Sequence, residues 1–232
     1  DVKPAMKAIA THGFTVDDKG RKMSKSLGNV IAPDELISQI GTDGLRLWVS
    51  AIDIEGDATV SKTLVSNIAE VNRKVRNTAR FLLSNLYDFD SEKDAIELKD
   101  MRMIDRYALH ELALFNQKVR KAYEEKNITA VFHALTDYCT VELSSFYLDI
   151  IKDRQYTTQE NSRARRSAQS ALYHIVSAFT RWITPILSFT ADELWQELPG
   201  EQSTSVFAAT WWDLPRLGDD ASLGRAYWDQ LA

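Results

Sequence analysis

SKTLVSNIAEVNRKVRNTARFLLSNL, residues 61–86, sets Leu64, Val65, Ile68, Val71, Val75, Ala79, Leu82 and Leu86 mostly three and four positions apart. That spacing lines one face of an α-helix, which turns once in about 3.6 residues. The same spacing returns in Ile104, Ala108, Leu112, Phe115, Val119 and Tyr123, and again in Val131, Leu135, Tyr138, Leu143, Phe146 and Ile150. It returns a last time in Leu172, Ile175, Phe179, Trp182 and Ile183. Four amphipathic helices joined by short links predict a mainly α fold, an antiparallel helical bundle over residues 61–198. Pro185 ends the fourth helix. Thr190 with Glu193 predicts a capping box that opens a further helix through Leu194 and Trp195.

The sequence changes character on either side of the bundle. Residues 1–60 are mixed and punctuated by glycine. Ala8–Thr11 and Gly13–Val16 read as short extended pieces, and Asp17-Asp18-Lys19-Gly20 has the composition of a turn. Pro33 followed by Asp34 and Glu35 starts a helix, Gly41 stops it, and Thr42 caps a second one. Residues 199–232 begin with Gly, Ser and Thr, then carry Trp211, Trp212 and Pro215. They predict a tail packed on the bundle through its aromatics and ending in a short helix.

Composition narrows the chemistry. Cys139 is the one cysteine, so no disulfide forms within the chain and no multi-thiolate zinc site can be built. The four histidines show no short metal-ligand spacing, so no metal site is expected. No stretch is apolar and long enough to span a bilayer, and together these point to a reducing, cytoplasmic setting. The net charge of -5 excludes a uniformly basic surface but leaves room for a basic stripe.

One segment carries reactive character. Gly20-Arg21-Lys22-Met23-Ser24-Lys25-Ser26-Leu27-Gly28-Asn29 puts two lysines and two serines between glycines. Ammonium groups, hydroxyls and backbone N–H groups on a mobile turn can hold phosphate. The order is not that of a Walker loop. A solvated basic turn is the plainer reading of such a pentapeptide taken alone.

With its flanks, from His12-Gly13-Phe14 to Asn29-Val30-Ile31, the order KMSKS resembles the ATP-phosphate loop of class I aminoacyl-tRNA synthetases. Further stretches are similar to bacterial isoleucyl-tRNA synthetases: Gly41–Ser50, Arg76–Leu86, Phe146–Arg154, Arg165–Gln169 and Pro185–Trp195. Valyl and leucyl enzymes share the loop and general bundle but match these stretches less well. The resemblance implies a small α/β remnant of a Rossmann-type catalytic domain, residues 1–60, followed by a class I anticodon-binding bundle. It implies ATP and its Mg2+, isoleucine and tRNA(Ile) as partners of the whole enzyme, which is expected to be monomeric. Lys25 and then Lys22 are implied to contact the ATP phosphates in catalysis, with Ser24 and Ser26 as supporting donors and Met23 packing the loop to its base. The HIGH element, the amino-acid pocket, the editing domain and a zinc-binding tail are not in this sequence, so this stretch alone is not expected to charge tRNA or bind zinc.

Positive side chains recur along the bundle: Arg73, Arg76 and Arg80 on the first helix, Lys152 and Arg154 after the third, and Arg163, Arg165 and Arg166 at the start of the fourth. These can neutralise tRNA phosphates, and Trp211 and Trp212 are candidates to stack on bases. The plainer reading makes the two tryptophans packing residues and many of the charges a solvated face, with Arg76, Arg80 and Arg154 paired to acids such as Asp149 or Asp153. The cationic start of the fourth helix opposes its macrodipole, which hints that those arginines serve something outside the helix. Three alternatives stand beside the isoleucyl reading: a valyl enzyme fragment, a stand-alone, non-catalytic tRNA-binding module, and a purely structural helical bundle with a coincidental loop.

Overall fold

The computed structural model describes residues 9, 11–53, 56–200 and 204–214. Parts of the extended piece expected at Ala8–Thr11, and the short helix expected after Pro215, lie outside these residues. The described chain is mostly helical: α1 (Pro33–Ser50), α2 (Lys62–Ser84), α3 (Met103–Glu124), α4 (Ile128–Asp137), α5 (Leu148–Thr157), α6 (Arg163–Ile183) and α7 (Ser188–Gln196). Two short strands, β1 (Thr15–Val16) and β2 (Ala58–Thr59), pair in parallel with Thr15 opposite Ala58. Among the described residues no helix is long and apolar enough to cross a membrane.

The bundle is built around α6. Leu172, Ile175, Phe179, Trp182 and Ile183 have no exposed surface, and Ala168, Ala171 and Ala178 are equally buried. These small residues let α2, α3, α5 and α7 approach α6 from several sides. A fully buried Leu, Ile or Phe contributes about 1.5–3 kcal/mol, so this helix anchors the core. The Trp182 indole donates to Asn116 Oδ1 at 2.7 Å, and its carbonyl accepts from the Tyr123 hydroxyl at 2.7 Å. The fourth amphipathic helix of the sequence is therefore the central helix, buried on nearly every side.

The third expected helix is continuous but not uniform. Between α4 and α5, residues Tyr138–Tyr147 form a wider π-helical segment. The Ser144 hydroxyl donates to the Cys139 carbonyl and the Ser145 hydroxyl to the Thr140 carbonyl, each five residues back. Hydroxyl groups that bond back to the backbone compete with the ordinary helical ladder, which apolar periodicity does not register.

The capping box expected at Thr190 is replaced by a long-range cap. α7 starts at Ser188, with Leu187 rather than Thr190 at its N-cap, and its N-terminal amides are met from α1. The Asp43 carboxylate accepts from Phe189 N at 3.3 Å and Thr190 N at 2.7 Å. The Thr190 hydroxyl instead accepts from Arg76 Nη1 at 2.9 Å. Arg46 in α1 donates to the Ile186 and Pro185 carbonyls at 2.8 and 2.7 Å. An anion on the amides and a cation on the carbonyls thus bind α1 to the α6–α7 turn. Gly41 breaks α1 with φ 74°, ψ 169°, a backbone that suits glycine.

The tail packs back on the bundle. Arg181 lies between the Trp195 and Trp212 rings, 4.7 Å from each centroid. Trp212 Nε1 donates to His174 Nδ1 at 3.1 Å, so that ring nitrogen carries no proton. Burial lowers the His174 pKa to about 4. The unfolded chain then takes up a proton near pH 6.5 that the folded chain refuses. The contribution is fully present above about pH 6.5 and is lost as pH falls from there toward 4. Between about pH 7 and about pH 4.5 the protein should lose roughly 2–3 kcal/mol through this group. Urea unfolding at both pH values checks it: His174→Gln, which retains an acceptor for Trp212, should flatten the pH dependence relative to the native chain.

Candidate functional site

The Lys22–Ser26 loop sits on a hairpin. Met23 N donates to the Thr15 carbonyl at 3.2 Å and Asp17 N to the Arg21 carbonyl at 2.9 Å. Gly20 turns the hairpin with φ 72°. Asp17 is buried at the base of the loop, where its carboxylate accepts from Lys19 N, Arg21 N and Arg21 Nε at 2.9–3.0 Å. Asn29 closes the loop across its mouth. Its Nδ2 donates to Asp17 Oδ2 at 3.0 Å, and its Oδ1 accepts from Ser24 N at 2.9 Å. The Asn29 amide, followed by the Arg21 backbone N–H, holds the Asp17 carboxyl well below the usual carboxylate range.

The loop itself is a single 3-10 turn, Lys25–Leu27. Ser24 caps it, its Oγ accepting from Leu27 N at 3.3 Å, and Gly28 ends it with φ 65°. The Ser24 and Ser26 hydroxyls lie 3.2 Å apart. Lys22 Nζ is 3.7 Å from the centroid of the exposed Phe14 ring. Lys25 is exposed, and its ammonium has no hydrogen-bond or ion-pair partner among the described residues. Met23 is half-buried against the core. The result is a short arch of cations and hydroxyls whose feet are tied by Asp17 and Asn29. Sequence reading caught the turn composition but not these two positioning residues, because their partners lie 5 and 12 positions away from Asn29.

The basic residues of the bundle fall into two groups. Arg73, Arg76, Lys152 and Arg163 are at least half exposed and paired to Glu70, Glu193, Asp149 and Asp100. Surface pairs of this kind are worth about 0–1 kcal/mol, so an RNA phosphate can displace them at little cost. Arg80 is exposed and has no partner among the described residues. On α2, Arg73, Lys74, Arg76 and Arg80 form a basic ridge between two grooves, with Lys152 of α5 lining one of them.

Arg165 and Arg166 are buried, and Arg154 is half-buried. Arg154 pairs with Asp105 rather than with Asp149 or Asp153, and Arg165 and Arg166 both reach Asp88. The unfavourable cationic start of α6 thus serves the α2–α3 connector, including Asp94 and Asp100. Trp211 and Trp212 are half-buried, Trp211 against Tyr123 and Trp212 against Tyr173. Among the described residues no group of three or more His, Cys, Asp or Glu is placed to hold a metal ion.

A family model described as the anticodon-binding domain of tRNA ligase matches residues 105–226, more than half of the chain. The chain belongs to that family. A second model, tRNA synthetases class I (I, L, M and V), matches residues 2–61, the part of this family member that carries the loop. Isoleucine–tRNA ligase of Saccharophagus degradans is 51% identical over 97% of the chain, and that of Shewanella sp. strain MR-7 is 53% identical over 99%. The chain spans 24% of the length of either relative. Among solved structures, the Agrobacterium radiobacter K84 agnB2 LeuRS in ternary complex with tRNA and LeuAMS matches 90% of the chain and 23% of its own, at TM-score 0.65 and 20% identity. Mycobacterium tuberculosis methionyl-tRNA synthetase with methionyl-adenylate matches 85% of the chain and 43% of its own, at TM-score 0.60 and 18% identity. At these identities the two structures establish the shared helical fold.

Proposed function

We propose that this chain is the part of an isoleucine–tRNA ligase that supplies the ATP-phosphate loop and holds the tRNA. The observation that carries the reading is the joining of two features by α1: an arch whose Lys25 ammonium has no partner among the described residues, and a bundle with an exposed basic ridge on α2. Identity of 51–53% to isoleucine–tRNA ligases over nearly the whole chain supports it. In the full-length enzyme the isoleucine carboxylate attacks the ATP α-phosphate and pyrophosphate leaves. The adenylate then passes its aminoacyl group to tRNA(Ile). Mg2+ accompanies ATP as part of that substrate. The loop's ammonium and hydroxyl groups meet phosphate oxygens as charge develops on them. The enzyme works in the cytoplasm as a monomer.

Arg73, Arg76, Arg80, Lys152 and Arg163 are the residues we assign to tRNA phosphates. Arg154, Arg165 and Arg166 support the binding surface from within. Binding of the chain to tRNA(Ile) over a salt series tests the reading. Affinity should fall with salt along a slope set by the number of phosphates neutralised, about 0.7–0.9 per contact. Changing the anticodon of tRNA(Ile) should remove the preference over other tRNAs. Equal binding of all tRNAs at every salt concentration would argue against an anticodon-reading role.

A further inference from the structure

We propose that the groove between α2 and α7 is a base-selective subsite for one unpaired nucleotide of the bound RNA. The proposal rests on the RNA-binding role above and adds to it a site, a stacking platform and an order of base preference. The groove is open to solvent and has a volume of about 840 Å³, within the range that accommodates a small organic ligand. Its walls bring together three exposed side chains: Arg80, Tyr87 and Glu197. Arg80 and Glu197 are exposed, and neither has a hydrogen-bond or ion-pair partner among the described residues.

Tyr87 is the most exposed aromatic of the described residues, at 75%. A lone exposed aromatic is ordinary, but this one is braced. The Arg165 guanidinium lies 5.8 Å from the ring centroid, and Asp88 in turn fixes that guanidinium through both terminal nitrogens. Arg165 itself is only 4% exposed, so the brace belongs to the protein interior. The ring is thus backed by a fixed cation on one side while most of its surface remains open. Single-stranded RNA is held by this combination: an aromatic face under a base, and a cation on the phosphate. Arg76 already pairs with Thr190 and the exposed Glu193, whereas Arg80 is the cation of this groove with no partner among the described residues, ready for a phosphate.

Glu197 sets the preference. An ionised carboxylate only accepts hydrogen bonds. Guanine presents two adjacent donors, N1–H and the N2 amino group, which match the two carboxylate oxygens. Adenine and cytosine each offer an amino group beside an acceptor nitrogen. Uracil flanks its single N3–H with two carbonyl oxygens that repel a carboxylate. The groove should therefore rank guanine first and uracil last.

The test uses this chain and short RNA hairpins whose loop is all uracil except for one position, where guanine is placed in turn. At one position guanine should tighten binding about tenfold, the effect of one good bidentate base contact. Hypoxanthine there, which lacks the N2 amino group, should recover only part of the gain. Glu197→Gln should abolish the guanine gain and bind the all-uracil hairpin no more weakly than the native chain, since an amide can donate to the uracil carbonyls that a carboxylate repels. Tyr87→Leu and Arg80→Ala, both at exposed positions, should each weaken every hairpin by about tenfold. Equal affinity for guanine at every loop position, or a guanine gain that survives Glu197→Gln, overturns the subsite while leaving RNA binding intact. Failure of the chain to bind any hairpin overturns both the subsite and the RNA-binding role.

Discussion

Replacing Asp105 with alanine should cost the fold about 3–5 kcal/mol, the penalty of breaking a buried ion pair by removing one partner. Asp105 has no exposed surface. Its two oxygens accept from Arg154 at 2.7 and 2.9 Å, from the Tyr147 hydroxyl at 2.8 Å and from the Ser167 hydroxyl at 2.6 Å. One carboxylate therefore joins α3, α5, α6 and the π-helical segment. Alanine leaves a largely buried guanidinium and two buried hydroxyls without their acceptor. Asp105→Asn keeps the volume and one acceptor oxygen, so its cost should be smaller. Urea midpoints measure both, and the double change Asp105→Ala with Arg154→Ala should cost clearly less than the two single changes added together. Additive losses would mean that the pair is not coupled and that Asp105 acts through its hydroxyl partners alone.

This junction also marks what local sequence reading can reach. The helices of the bundle follow from apolar spacing, and the loop follows from a contiguous motif, because both signals lie within a few turns of chain. Asp105 and Arg154 sit 49 residues apart, Asp88 and Arg165 77 apart, and Asp43 and Thr190 147 apart. No periodicity announces such pairs. Thr190 and Glu193 have the composition of a capping box, yet tertiary packing gives the amides to Asp43 and the two side chains to Arg76. The arginines that open α6 are a partial exception. Their conflict with the helix dipole was visible in the sequence, and the groups that resolve it, Asp88, Asp94 and Asp100, lie within the same chain.

The residues proposed for chemistry have the opposite character. Asp88, Asp94 and Asp105 each answer a cation inside the fold, whereas no anion among the described residues answers Lys25. Replacing Lys25 with alanine in the full-length enzyme should slow adenylate formation by about 10²–10³-fold, the range seen when one charge-stabilising donor is removed from an active site. Affinity for ATP should change much less, because this ammonium contributes most when charge has built up in the transition state. The scaffold around it makes the experiment clean. Asp17 and Asn29 fix the feet of the loop through the backbone and Ser24, without using the Lys25 side chain. Truncating Lys25 should therefore leave the arch folded. Pre-steady-state adenylate formation and isoleucine-dependent pyrophosphate exchange measure the rate, and nucleotide titration measures the affinity. Lys25→Arg, which keeps the charge but widens the head group, should recover part of the rate. Unchanged exchange kinetics in Lys25→Ala would remove this loop from the chemistry. A loss confined to ATP affinity would make Lys25 a ground-state binding residue.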